Sequence, residues 1–236
     1  MEAILNPALL LFLSGILIGT IFKLILPNSI SKYLGYYLLL SLGLKGGSSL
    51  QENGFISEVI SALTLGVVFA LLIPIIAYFY LKNLLNSNDA AALSGTYGSV
   101  SAVTFVTAIS YLTTTNQNFD NYMSAVLVVM EFPAIFMALY LVTQNKQIKS
   151  NNLETIKTAF LEVPNIILIS SLFLGYFVNQ TLLSNLDFII VEIFDYVLYV
   201  FLFVMGTRVA KRIGDLKGKG ASLITFALLT PLIGSF

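Results

Sequence analysis

The sequence Ser94-Gly-Thr-Tyr-Gly-Ser-Val-Ser-Ala-Val-Thr-Phe-Val-Thr107 places small and hydroxyl residues inside an otherwise apolar segment. Glycine lowers helix stability, so Gly95 and Gly98 weaken a continuous helix here. The hydroxyl groups need hydrogen-bond partners that lipid cannot supply. Irregular backbone at membrane depth occurs where it lines a cavity or is buried in protein. Residues 94–107 therefore predict a broken transmembrane helix that forms a ligand site.

The composition around this stretch is that of an all-α integral membrane protein. Of the 236 residues, 57% are hydrophobic and 10% are charged, against about 25% charged in an average soluble domain. Apolar runs of about 20 residues predict helical spans, and they disfavour a β-barrel. The net charge is zero, which gives no indication of a nucleic-acid partner. Cysteine and histidine are absent. This excludes disulfides, imidazole and thiolate metal sites and Ser-His or Cys-His catalysis, and we expect no enzymatic activity.

The apolar runs predict seven spans and the start of an eighth. They cover about 6–26, 29–44, 55–81, 89–112, 121–144, 162–180 and 188–207, with the last beginning near Gly220. Turns are predicted at Pro27-Asn28, at Gly46-Gly47 and at Asn53-Gly54. Asp89 is expected to cap the fourth span.

Lysine and arginine residues predict the orientation, because short basic loops stay in the cytoplasm. With the N-terminus outside, only Lys45 falls outside. The first apolar stretch has no basic leader and is expected to be a retained span of the inner (plasma) membrane. Eleven basic residues then face the cytoplasm: Lys23, Lys32, Lys82, Lys146, Lys149, Lys157, Arg208, Lys211, Arg212, Lys217 and Lys219.

Two short motifs recur across the chain. Ser14-Gly-Ile-Leu-Ile-Gly19 resembles Ser170-Ser-Leu-Phe-Leu-Gly175, and Leu40-Ser-Leu-Gly43 resembles Phe203-Val-Met-Gly206. An odd number of spans per unit inverts the second copy, which predicts the five-plus-five inverted repeat of many secondary transporters. The first repeat would occupy 1–145, a cytoplasmic connection 146–161, and the second repeat 162–236. We expect the second repeat to be incomplete, with its own broken helix beyond Phe236.

Glu131 lies about ten residues into the fifth span, and thus near mid-membrane. A carboxylate there costs at least about 2.5–3.5 kcal/mol unless it is neutralised, paired or bound to a cation. Pro133 frees a carbonyl of the preceding turn. With the hydroxyls of Ser94, Ser101 and Thr104 these oxygens suit a hard cation, and sodium is the natural one. A protonated glutamate bonded to a neighbouring helix is the alternative.

Other features also have two interpretations. Glu192 and Asp195 line an outer vestibule or extend to water at the membrane interface. The hydroxyl run binds a ligand or only packs helices closely together. The basic residues between 208 and 219 fix the topology, or also receive a soluble regulator.

Four motifs together resemble the sodium-dependent bicarbonate transporter family of photosynthetic bacteria. They are Leu42-Gly-Leu-Lys-Gly-Gly47, Gly95-Thr-Tyr-Gly-Ser-Val-Ser-Ala-Val-Thr104, Met130-Glu-Phe-Pro-Ala134, and Val204-Met-Gly with Arg212-Ile-Gly-Asp-Leu216. The resemblance implies a homotrimer of ten-span protomers, each moving bicarbonate inward with sodium between a scaffold and a mobile core. It also implies a PII-like protein on the cytoplasmic face. By matching position, Gly98, Ser99, Ser101 and Thr104 would lie at the anion site and Glu131 near the sodium.

Two departures from the family pattern bear on the substrate. Ala102-Val103 stands where the family has a small Gly-Ser pair, and Glu131 stands where it generally has aspartate. The predicted function is sodium-coupled bicarbonate import. The alternatives are a permease of the same fold for another small anion, or a non-transporting truncated fragment.

Overall fold

The chain folds into a bundle of helices in the computed structural model. The α-helices are α1 (Pro7–Phe22), α2 (Asn28–Asn53), α3 (Ser57–Leu81), α4 (Ser87–Gly95), α5 (Met123–Thr143), α6 (Val163–Phe177), α7 (Ile193–Arg212) and α8 (Ala221–Gly234). A π-helical turn, Phe188–Glu192, leads into α7. The structure describes residues 7–24, 26–101, 104–105, 108–109, 111–112, 115–143, 157, 161–178, 181, 185, 188–212, 214 and 221–234, and these contain no β-strand.

Three of the helices in the described ranges are long and apolar enough to cross a membrane. They are Ser57–Leu81, Met123–Val142 and Phe188–Arg212. A helix of 25 residues is about 38 Å long, against about 30 Å for the hydrocarbon core of a bilayer. Shorter apolar helices include Pro7–Phe22 and Val163–Phe177. The predicted all-α membrane protein is confirmed.

The end of the second span was predicted wrongly. Helix α2 continues to Asn53, so Gly46-Gly47 is not a turn and Lys45 is a helical residue. The turn falls at Gly54, whose φ is +65°. The reason is tertiary packing: a Cβ at Gly46 would lie 3.2 Å from the Cα of Ala125. Close packing against neighbouring helices outweighs the low helix propensity of glycine, about 1 kcal/mol per residue.

Helices α1 and α7 pack closely through glycine. A Cβ added at Gly206 would lie 3.0 Å from the Cα of Gly15, and one at Gly19 would lie 2.8 Å from the Cβ of Ala210. From the first contact to the second, the residue number rises by four in both helices, from 15 to 19 and from 206 to 210. The two helices therefore run parallel. Contacts this close require residues without a bulky side chain.

Helices α2 and α6 form a second interface of the same kind. A Cβ added at Gly43 would overlap the Oγ of Ser171, and one at Gly47 would lie 2.8 Å from the carbonyl carbon of Gly175. Here too the residue number rises by four in both helices, from 43 to 47 and from 171 to 175, so α2 and α6 also run parallel.

The two interfaces correspond residue by residue under the repeat predicted from the sequence. That alignment equates Gly15 with Ser171 and Gly206 with Gly43, and it equates Gly19 with Gly175. In one interface the first motif of repeat one contacts the second motif of repeat two. In the other interface the first motif of repeat two contacts the second motif of repeat one. A pseudo-two-fold axis between the two predicted repeats would produce this reciprocity.

Helices α3, α4 and α5 pack on one another and form a second group. Helix α5 connects it to the first group, mainly through α2. The shared core contains Leu42, Val128, Phe194 and Leu198. The site described next lies within the second group.

Candidate functional site

Helix α4 begins with a side-chain cap. The Oδ1 of Asn86 accepts a hydrogen bond from the backbone N–H of Asp89 at 2.9 Å, and its Nδ2 donates to the Oδ2 of Asp89 at 2.8 Å. Asn86 is therefore the cap, and Asp89, which was expected to cap, is the third helical residue. The first of these two hydrogen bonds satisfies one of the free backbone N–H groups at the start of the helix.

The helix ends at Gly95, as the sequence predicted for a broken span. The backbone then tightens: the N–H of Tyr97 donates to the Ser94 carbonyl and that of Gly98 to the Gly95 carbonyl, both at 3.1 Å. Regular helical bonding resumes where Phe105 N–H donates to the Ser101 carbonyl at 3.0 Å. Residues 96–101 therefore form a non-helical break between α4 and the described helical residues 104–105, 108–109 and 111–112.

Close contacts hold the break against α3 and α5. A Cβ at Gly95 would overlap the Cβ of Ala138 on α5. A Cβ at Gly98 would lie 2.6 Å from the Cγ of Pro74 on α3 and 2.8 Å from the Cβ of Ala134 on α5. Only hydrogen fits at these two positions, so glycine both ends the helix and lets the broken backbone approach its neighbours.

The hydroxyl residues predicted for the site differ in burial. Ser94 is fully enclosed, and its Oγ donates to the Ala91 carbonyl at 2.8 Å. Its oxygen lone pairs remain able to accept or to ligate a cation. Ser99 is half-buried, whereas the side chains of Ser101 and Thr104 are exposed. Ala102 and Val103, at which the sequence departs from the family pattern, lie outside the described residues.

Glu131 is half-buried on α5. It precedes Ala134 by three residues and Ala138 by seven, so all three share one face of the helix. Ala134 and Ala138 are the residues that contact Gly98 and Gly95. Glu131 therefore lies about one helical turn from the point where α5 meets the break. Within the described ranges, no group of three or more acidic side chains could hold a metal, so a cation here would need hydroxyl or carbonyl ligands besides Glu131.

Glu192 and Asp195 are both exposed, at the π-helical turn and in the first turn of α7. They belong to the group of helices packed through glycine and not to the group that holds the break. Between them, Phe194 is buried, and the Nζ of Lys45 lies 4.4 Å from the centre of its ring. Sequence reasoning assigned Lys45 to a loop and therefore missed this contact.

Three further neighbours of the break were missed. Pro74 and the carbonyl of Ala70 adjoin Gly98 on α3. Phe226 on α8 lies between two tyrosines, 5.1 Å from the ring of Tyr80 and 5.2 Å from that of Tyr97. Pro74 was visible as a proline inside an apolar segment, but no local signal connected it to Gly98.

The break offers opposite partial charges in one place. The carbonyls of Leu93, Ser94 and Gly95 accept hydrogen bonds from the turn that follows α4. The C-terminal end of the helix still carries partial negative charge, which attracts cations. Helical residues follow the break at 104–105, and the N-terminal end of a helix attracts anions. A broken helix of this kind, in an all-helical membrane protein, is the architecture of a membrane transporter.

The chain belongs to the Na⁺-dependent bicarbonate transporter superfamily, whose family model matches residues 7–236. The resemblance seen in the motifs is thus confirmed over nearly the whole chain. No curated protein matches the chain in sequence. Membership implies sodium as the co-transported ion and supports bicarbonate as the substrate.

Proposed function

We propose that this protein is a sodium-coupled symporter that imports bicarbonate across the inner (plasma) membrane. The observation that carries the proposal is the break after Gly95, which contacts the face of α5 that carries Glu131. Helices α3 and α5 contact the break at Gly98, and α5 also contacts it at Gly95.

The cation would bind at the break, next to the anion. Its ligands would be the carboxylate of Glu131 and the hydroxyl oxygens of Ser94, Ser101 and Thr104. All of these are hard oxygens, the donor type that sodium prefers. The negative charge of Glu131 offsets the cation, which lowers the cost of holding either charge inside the membrane.

The anion would bind on the N–H side, at Gly98, Ser99, Ser101 and Thr104. Bicarbonate is planar and offers oxygens to hydroxyl and backbone N–H donors. A sodium ion held close by offsets its charge. The two ligands would therefore stabilise each other, which is the thermodynamic basis of coupled transport.

We infer an inverted repeat, with units 1–145 and 162–236 joined by 146–161. The reciprocal glycine interfaces support it: α1 packs on α7 in the same register as α6 packs on α2. The four helices of these interfaces would form the scaffold, and α3, α4 and α5 the mobile core.

The basic residues near the α1–α2 turn and the end of α7 support the N-out orientation. The Nη2 of Arg208 donates to the Oδ1 of Asn28 at 2.9 Å, so Lys23, Lys32, Lys211 and this contact lie at one end of the bundle. That end would face the cytoplasm. Glu192 and Asp195, at the start of α7, would then lie toward the opposite face and line an outer vestibule.

By family resemblance, the protein would assemble as a homotrimer and receive a PII-like protein at its cytoplasmic end. Native mass spectrometry of the detergent-solubilised protein would measure the subunit number. A single protomer mass would exclude the trimer.

The test is uptake of labelled bicarbonate by proteoliposomes that contain the full chain, with sodium or choline as the external cation. We expect uptake in sodium alone, and its loss in Glu131→Gln and Ser101→Ala. The matched control is Glu52→Gln, which removes an exposed carboxylate of α2 and should leave uptake unchanged.

Competition by acetate or chloride separates bicarbonate from other small anions. Sodium-dependent uptake of acetate or chloride in place of bicarbonate would show that the substrate assignment is wrong, while the fold assignment would stand. No uptake of any of them, from protein shown to be inserted, would reject the symporter.

A further inference from the structure

Helix α3 contains a proline in a fully enclosed position. Pro74 lies in the interior of Ser57–Leu81 and is buried. Proline has no backbone N–H, so the carbonyl of Ala70, four residues earlier, loses its helical donor. Ala70 is itself fully buried. A buried carbonyl without its donor needs another partner, since leaving it unsatisfied costs about 1–3 kcal/mol.

The Ala70 carbonyl points to the break. A Cβ built on Gly98 would lie 2.8 Å from the Ala70 oxygen and 2.6 Å from the Cγ of Pro74. The released carbonyl, the proline ring and the backbone of Gly98 therefore meet in one contact. The proline acts twice: it frees the oxygen, and its ring packs against the residue that the oxygen faces.

Helix α5 closes the same point from the other side. The Cβ of Ala134 would lie 2.8 Å from the Cβ added at Gly98, and Ala70, Met130 and Ala134 form one buried cluster. Glu131 follows Met130 directly and precedes Ala134 by three residues, a rise of about 4.5 Å along the helix. The Ala70 carbonyl and Glu131 thus belong to two different helices that both contact the break.

We propose that the main-chain carbonyl of Ala70, released by Pro74, is a ligand of the co-transported sodium ion. Carbonyls that lack a helical donor, those of unwound segments, bind sodium in transporters with discontinuous helices, and the Ala70 carbonyl lacks its donor in the same way. The proposal adds α3 to a site otherwise built from α4 and α5, and it makes Pro74 a positioning residue. It rests on the sodium symport proposed above.

The first test is Pro74→Ala, which supplies an N–H and restores the helical hydrogen bond to Ala70. The sodium concentration for half-maximal bicarbonate uptake should rise about tenfold, as for the loss of one charge-assisted interaction. Maximal uptake in saturating sodium should stay close to that of the parent. The matched control is Pro231→Ala, which restores a helical bond at an exposed proline of α8 and should leave the sodium dependence unchanged.

A second test leaves every side chain in place. Replacing Leu71 by its α-hydroxy acid turns the amide after Ala70 into an ester, whose carbonyl is a weaker ligand. The control places the same change at Leu72, which weakens the carbonyl of Leu71 instead and also deletes one N–H. Only the change at Leu71 should raise the sodium requirement.

Sodium-dependent thermal stabilisation of the purified protein, measured without bicarbonate, separates the two proposals. If the parent protein is not stabilised by sodium and shows no sodium-dependent uptake, the symport proposal fails. If the parent responds to sodium and both α3 variants respond equally well, symport stands and the assignment of Ala70 is wrong. A weaker sodium response in both α3 variants, with both control variants unchanged, supports the assignment of the Ala70 carbonyl as a sodium ligand.

Discussion

Gly98 lies against Pro74 so closely that a Cβ at residue 98 would stand 2.6 Å from the Cγ of the proline ring. Real Cβ atoms essentially never approach a neighbour this closely. The contact joins the broken fourth span to α3 at the point where α3 has lost a helical hydrogen bond. Residue 98 must therefore be glycine for the break to occupy its position.

Gly98→Ala is predicted to abolish most transport. The new methyl group would meet Pro74, Ala134 and the Ala70 oxygen, all within 2.8 Å, and overpacking of this kind costs about 1–3 kcal/mol. The break must shift, so we expect bicarbonate uptake to fall at least about tenfold. Gly35→Ala is the control, because its Cβ would meet only Phe201, at 3.7 Å. Uptake by Gly98→Ala equal to that of Gly35→Ala would show that the break does not form the site.

Ser94→Ala is predicted to raise the sodium requirement of transport. The matched control is Ser171→Ala, because both serines are fully buried and both donate to a carbonyl three residues earlier in their own helix. Their effects on stability should therefore be similar. Only Ser94 adjoins the break, so only its loss should raise the half-saturating sodium concentration, about fivefold for about 1 kcal/mol.

The measurement is uptake against sodium concentration, with thermal unfolding of both variants in detergent. Equal sodium curves for the two variants would assign Ser94 to helix packing alone. This outcome would favour the close-packing interpretation of the hydroxyl run.

The two glycine interfaces are predicted to respond alike to overpacking. Gly43→Ala would collide with the side chain of Ser171, and Gly206→Ala with the carbonyl of Phe12 and the Cα of Gly15. Each change should lower the free energy of unfolding by about 1–3 kcal/mol. Adding Ser171→Gly makes the first interface resemble the second and should recover part of the loss in Gly43→Ala. A double-mutant cycle of thermal unfolding measures this coupling. Strict additivity would argue against a direct contact between the two residues.

Arg208→Ala is predicted to loosen the end of the bundle where the α1–α2 turn meets α7. Its Nη2 donates to the backbone carbonyl of Asn28 at 3.3 Å and to the side-chain Oδ1 at 2.9 Å. These hydrogen bonds connect the α1–α2 turn to α7 across 180 residues of sequence. We expect a loss of about 1 kcal/mol in the free energy of unfolding. Arg212→Ala, at the exposed last residue of α7, serves as the control. An equal loss in both variants would assign the effect to net charge and not to the contact with Asn28.

Much of the architecture follows from the sequence alone. Long apolar runs determine a helical membrane protein, since only helices satisfy their own backbone groups within a single segment. Gly95 and Gly98 determine that the fourth span is interrupted, and the four motifs determine the family. Glu131 stands out because a carboxylate inside an apolar helix is costly. These features are local, and they are therefore visible in a linear chain.

The tertiary structure decided which residues meet. Gly46-Gly47 resembles a turn in sequence, yet it is helical because α5 and α6 pack against it. Pro74 and Gly98 are 24 positions apart, and no pattern of spacing relates them. The reciprocal pairing of Gly15 with Gly206 and of Ser171 with Gly43 likewise depends on how the helices associate. Helix association is governed by the fit of two surfaces, and that fit exists only after the chain has folded.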